Sequence, residues 1–162
     1  MNVHTLPVRS RTAVTGARTA VHDARWPQIV AALTALRTDG RHAVRIVDAE
    51  CGAGTLLLQA AHHARALGFT AIEARGIDRS PPSIGRARAA ANRAADPAIG
   101  VSFEVADLVV ALQAEHDLPA DIILCHGVPV QDWHPDAVLA LRQAGRLVID
   151  DQTASYARDV AA

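Results

Sequence analysis

Residues 48–55 read Asp-Ala-Glu-Cys-Gly-Ala-Gly-Thr, an acid closing an apolar run and then two glycines, Gly52 and Gly54, one residue apart. Glycine lets the backbone turn sharply and approach a ligand closely. A helix opening behind such a turn offers free N–H groups that favour a negatively charged group. A tight turn that merely needs glycine has the same composition, so the pair alone assigns nothing. A dinucleotide fingerprint requires a third glycine three positions after the second. That position is Leu57, which demotes a nicotinamide dinucleotide as ligand.

A second acid stands where nucleotide chemistry would use one. Gly76-Ile77-Asp78-Arg79-Ser80 places Asp78 78 − 54 = 24 residues beyond Gly54. That is near the spacing of ~20 at which a carboxylate accepts from ribose hydroxyls. Further along, Asp107-Leu108 closes a third apolar run and Cys125-His126-Gly127 a fourth. His126 is the best candidate for a general base, although a histidine that only hydrogen-bonds a loop would sit in the same place. Asp150-Asp151-Gln152 reads as a solvated acidic turn and not a Mg²⁺ site. His62 and His63 are adjacent, so on a helix they point ~100° apart and form no chelate. Cys51 and Cys125 read as a packed, inert pair, too few with one histidine for zinc. No metal is expected.

These side chains need a frame that gathers strand ends. From residue 43 onward, short β-branched runs alternate with Ala/Leu-rich stretches. The pattern predicts strands at 43–48, 69–77, 99–105, 121–125 and 146–149. It predicts helices at 55–67, from the Ser80 cap to about 95, at 108–115 and at 136–143. An amphipathic helix over 26–37 precedes them, with Ile29, Val30, Leu33 and Leu36 on one face. Gly68 marks a helix end, and Pro81-Pro82 suit a first helical turn. Strands alternating with helices imply right-handed crossovers and a parallel sheet covered on both faces. Near-continuous apolar strands agree with burial on both sides. Ligands of such sheets bind beyond the carboxyl ends of the strands.

The chain of 162 residues, half of them apolar, is sized for one domain with a sizeable core. Residues 1–20, with Arg9, Arg11 and Arg18 and no apolar segment, are expected to be an arm ahead of a single domain over 21–162. All 16 basic residues are arginine, against 17 acidic ones, for a net charge of −1. Without lysine there is no P-loop and no Schiff base. Balanced charge speaks against nucleic acid and anionic membranes. Arg79, Arg86, Arg88 and Arg93 read as a solvated helix face without interleaved aromatics. No run approaches the ~18–20 apolar residues of a membrane span. Two cysteines make no disulfide framework, so a reducing, cytoplasmic setting is expected.

Asp48 to Gly54 resembles the first motif of the class I S-adenosylmethionine-dependent methyltransferases. Gly76 to Pro81 resembles the second, 104–108 the third and 121–127 the fourth. The resemblance implies an α/β three-layer sandwich, Rossmann-like, with a doubly wound, mostly parallel sheet of about five strands in the order 3-2-1-4-5. It implies S-adenosylmethionine as cofactor and S-adenosylhomocysteine as product. Asp48, Glu50, Cys51, Gly52 and Gly54 would border its methionine part. Asp78 and Arg79 would meet the ribose, Asp107 and Leu108 the adenine, and Cys125 and His126 the transferable methyl. The fourth motif is not the Asn/Asp-Pro-Pro-aromatic type of amino-group DNA and protein methylases, and a small-molecule acceptor is expected.

The sequence departs from the family in two places. Glu50 stands where the family often has glycine. The family also usually adds an antiparallel hairpin after the fifth strand, and the 13 residues after Ile149 are too few for one (162 − 149 = 13). The open edge of the fifth strand is then expected to be covered by the C-terminal segment or by a second subunit in a homodimer. The alternative to an enzyme is a protein that keeps the fold and the cofactor but has lost catalysis.

Overall fold

The computed structural model describes residues 20–126 and 135–151. In chain order they form α1 (Trp26–Thr38), β1 (Ala43–Ala49), α2 (Thr55–Ala66), β2 (Ala71–Asp78), α3 (Pro81–Arg93), β3 (Ile99–Val105), α4 (Leu108–Gln113), β4 (Ala120–Leu124), α5 (Pro135–Ala144) and β5 (Gly145–Ile149). The five strands make one sheet in the order β3-β2-β1-β4-β5. Every pairing is parallel. The expected α/β sandwich and strand order are thus observed, with element ends within two or three residues of expectation.

Two cores flank the sheet. On one face Ile29 and Leu33 of α1, Leu57 and Ala61 of α2 and Ile84 of α3 pack on Ile46, Ile72 and Ile122. On the other, Ala111 and Leu112 of α4 and Ala140 and Leu141 of α5 pack on Val47, Ile77 and Ile123. Local signals set the boundaries. Gly68 takes φ +92° just past α2, a conformation glycine adopts without Cβ strain. Ser80 caps α3 through Oγ, which accepts from the N–H of Ser83 at 3.4 Å, and prolines fill the first turn.

One expectation about the sheet needs correction. β1 and β4 are nearly continuous and buried, but β2 and β3 alternate between buried and exposed positions. Charges pair across the neighbouring strands, Arg45 of β1 with Glu73 of β2 at 3.0 Å and Arg75 of β2 with Glu104 of β3 at 2.6 Å. Glu115, 1% exposed and just past α4, pairs with both arginines. Only six residues long, α4 covers little of this part of the sheet. Charged ladders close it where helices do not.

The arginines of α3 also depart from a purely solvated face. Arg88 donates twice to the carbonyl of Phe103, at 3.1 and 2.7 Å, and so braces α3 to β3. Among the described residues β5 pairs with β4 alone. The C-terminal segment expected to cover its far edge lies outside the described residues from 152 on, as does the expected arm of 1–20 apart from Ala20, which is buried in the core. No described helix is long and apolar enough to cross a membrane.

Candidate active site

An all-parallel sheet places the carboxyl ends of its strands along one rim, and the motif residues meet there. The turn after β1 is built from three left-handed residues: Glu50 at φ +67°, Gly52 at +55° and Gly54 at +73°. Among the described residues Glu50 is the one non-glycine with positive φ. Gly54 is also the cap residue of α2. A Cβ on Gly54 would come within 2.6 Å of the Phe103 ring, and one on Gly76 within 2.5 Å of the same ring. Phe103 therefore fills the space beneath both glycines and seats the turn against β2 and β3.

Asp78, at the end of β2, ties the turn in place. One oxygen accepts from the N–H of Gly52 at 2.8 Å, the other from the N–H of Ser80 at 2.7 Å. Each oxygen retains a second acceptor lone pair. On the same rim Asp107 caps α4, accepting from Val109 at 3.0 Å and Val110 at 3.4 Å. Its other oxygen accepts from Arg79 Nη2. The Val110 N–H above all, with Arg79, holds the Asp107 carboxyl below its ordinary range. Leu108 begins α4 and is half-buried.

Asp48 lies at 2% exposure near the end of β1, and its Oδ1 has no hydrogen-bond partner. Burial pushes its pKa up from 3.8 to about 7; Arg25 opposes the rise, while Asp23, Asp78 and Glu50 add to it. The carboxylate borders a cavity of about 210 Å³ shared with Asp23, Arg25, Cys51, Thr55 and His126. Burial also pushes the thiols of Cys51 and Cys125 up to about 12. Both are protonated at neutral pH and serve as packing. Among the described residues no group of three or more His, Cys, Asp or Glu side chains could hold a metal ion.

The sequence reading missed Asp23 and Arg25. Arg25, 2% exposed, sits ahead of α1 and crosses to the end of β4. Its Nη1 donates to the Cys125 carbonyl at 3.1 Å, and its Nε and Nη2 grip Asp23 at 2.9 and 2.8 Å. An arginine beside an apolar helix is ordinarily exposed, and a partner 100 residues away leaves no local signal. His126 stands at the expected place, with Nε2 3.3 Å from Arg25 Nη2 and Nδ1 3.6 Å from Asp151 Oδ2. Gly127, the end of the fourth motif, lies outside the described residues.

A larger groove of about 520 Å³ opens at the opposite rim, between Arg41, Arg45, Glu73, Asp121 and Arg146. Four of its charges pair with one another, Arg41 with Asp121 at 2.9 Å and Arg45 with Glu73 at 3.0 Å. Of the motif residues it holds Asp121 alone, the first of the fourth motif, and it lies at the amino ends of the strands, where such sheets do not bind ligands.

A family model described as a methyltransferase domain matches residues 41–156, well over half of the chain. The chain belongs to this methyltransferase family. Its fold is that of the class I S-adenosylmethionine-dependent methyltransferases. A structure of the bifunctional kinase-methyltransferase WbdD is similar at a TM-score of 0.59 and 21% identity, covering 80% of this chain and 29% of that one. A SAM-dependent methyltransferase from Agrobacterium tumefaciens gives 0.57 and 17%, over 78% and 44%. The magnesium protoporphyrin IX methyltransferase from Synechocystis, crystallised with SAH, gives 0.52 and 16%, over 91% and 61%. This methyltransferase domain thus spans less than two thirds of the length of each of these proteins. No curated protein matches its sequence.

Proposed function

We propose that the domain binds S-adenosylmethionine along the carboxyl ends of β1, β2 and β3 and methylates a small-molecule acceptor beyond β4, with S-adenosylhomocysteine as product. The observation that carries this reading is Asp48 Oδ1, a buried carboxylate oxygen without a partner, bordering a cavity beside the left-handed glycine turn. An orphaned buried acceptor is costly unless a donor arrives. A cationic ligand end, such as the ammonium of a methionine moiety, satisfies both its hydrogen bond and its charge.

The other residues suit the rest of the molecule. Gly52, where a Cβ would meet nothing within 4 Å, leaves the turn open where the methionine chain would run, with Glu50, Cys51 and Gly54 beside it. The spare lone pairs of Asp78 suit ribose hydroxyls. Asp107 and Leu108 would face the adenine, with Arg79 yielding one Asp107 oxygen to the exocyclic amine. This exchange is easy, because Arg79 and Asp107 are 74% and 47% exposed and water replaces the lost contact. When bound, the cofactor supplies a methyl group already activated on a sulfonium, so the protein's part is alignment. Membership in the methyltransferase family favours this over a non-catalytic binding protein.

Titration calorimetry of the wild type with S-adenosylhomocysteine tests the reading. Saturable binding that is lost or much weakened in Asp78→Ala supports it; absence of binding, or unchanged affinity in the variant, contradicts it.

A further inference from the structure

His126 lies two residues past β4, at the rim where an acceptor would approach, and its two ring nitrogens face different partners. Nε2 lies 3.3 Å from Arg25 Nη2, and Nδ1 lies 3.6 Å from Asp151 Oδ2. A guanidinium is always charged and can only donate. Nε2 must therefore accept, and in a neutral imidazole the proton then sits on Nδ1, facing the Asp151 carboxylate. Arg25 is itself held on several sides, by the Asp23 carboxylate and by the Cys125 carbonyl, and is 2% exposed. It cannot swing away as a surface arginine would.

We infer that Arg25 is the positioning residue of His126: it occupies Nε2, fixes the Nδ1–H tautomer, and holds the ring as an oriented wall of the acceptor site. In this arrangement Nε2 takes no proton from the acceptor. On this inference His126 is an oriented wall and not the general base that the sequence suggests at this position. It also narrows the acceptor class to nucleophiles that attack without giving a proton to His126, such as a carboxylate or a neutral amine. The inference rests on the methyltransferase reading only for its meaning in catalysis; the tautomer itself is a property of the free protein.

Nitrogen-15 NMR of the full chain, labelled at histidine and arginine side chains, tests it without cofactor or acceptor. The chain has eight histidines, so His126→Gln assigns the signal by removing one ring. The expected result is a neutral His126 ring protonated at Nδ1, with a scalar coupling through the hydrogen bond between its Nε2 and Arg25 Nη2. In Arg25→Met the ring should shift toward the Nε2–H form that free imidazoles prefer. A wild-type ring protonated at Nε2 overturns the inference. So does an Nδ1–H ring that is unchanged in Arg25→Met, which would leave Asp151 alone in charge. If Arg25→Met does not fold, the wild-type coupling decides: present, it supports the inference; absent, it overturns it. Calorimetry with S-adenosylhomocysteine on the same sample tests the methyltransferase reading separately.

Discussion

The carboxylate of Asp78 accepts from the backbone N–H of Gly52 at 2.8 Å, joining the acid at the end of β2 to the glycine turn after β1. The same side chain holds Ser80 N–H at the start of α3. Asp78 is thus both a candidate ligand contact and the knot that ties the glycine turn to the start of α3. Asp78→Asn keeps an acceptor for one of these N–H groups but loses the charge. It should weaken S-adenosylhomocysteine binding by about 1–3 kcal/mol and lower the melting temperature only slightly, whereas Asp78→Ala should lower both. Equal binding by the two variants and the wild type in calorimetry would remove Asp78 from the site.

Asp48 gives a signed pH dependence. Its pKa is about 7 in the folded chain against 3.8 ordinarily. Between about pH 4 and 7 the folded chain keeps a proton that the unfolded chain has lost, so this residue's contribution makes stability fall as pH rises through that window. The whole fall is on the order of 2–4 kcal/mol. Denaturation at pH 5 and 8 should show the wild type losing more stability over this interval than Asp48→Asn. Affinity for a ligand cation should move the other way, rising from pH 6 to 8 as Asp48 ionises. Parallel pH profiles for the two proteins would contradict the assignment.

Glu50 holds φ +67° with a Cβ attached. That conformation costs an L-residue roughly 1–2 kcal/mol, partly offset by the greater chain entropy glycine brings to the unfolded state. Glu50→Gly should therefore stabilise the fold by about 0.5–1 kcal/mol, read as a rise in the urea midpoint at constant slope. A lower midpoint would mean that Glu50 makes compensating contacts.

Gly76 has ordinary backbone angles, yet a Cβ there would meet Phe103 at 2.5 Å and Cys51 Sγ at 2.8 Å. Gly76→Ala should cost about 1–3 kcal/mol from overpacking alone. Pairing it with Phe103→Leu should recover part of that loss beyond additivity. Gly54→Ala, which adds left-handed strain to the same clash, should cost more than Gly76→Ala. If the two alanine variants are as stable as the wild type, Phe103 is not the floor of the turn.

Much of this was legible in the sequence because its signals are local. The Gly52/Gly54 pair, the Pro81-Pro82 helix start and the β-branched runs each fix their own few residues, and parallel topology then gathers the motif ends on one rim. Glu50 was legible as an odd residue in a glycine's place, and its positive φ gives the reason. What escaped was long-range pairing of charge. Arg25 finds Cys125 and His126 across 100 residues, and Glu115 finds Arg45 and Arg75 beneath a six-residue helix. Neither leaves a periodic or spacing signature, because a buried arginine or glutamate is identified only by the partner that compensates it. The alternation of β2 and β3 follows from the same network, since the outward positions carry its charges.

The most direct measurement of the central claim is an amide chemical-shift map of the labelled protein titrated with S-adenosylhomocysteine. Saturable shifts are expected at Gly52, Gly54, Asp78, Asp107 and Leu108, with little change at Thr70 and Gly100, which line the groove at the opposite rim. No saturable shift, or shifts centred on Thr70 and Gly100, would contradict a cofactor site at the carboxyl ends of the strands.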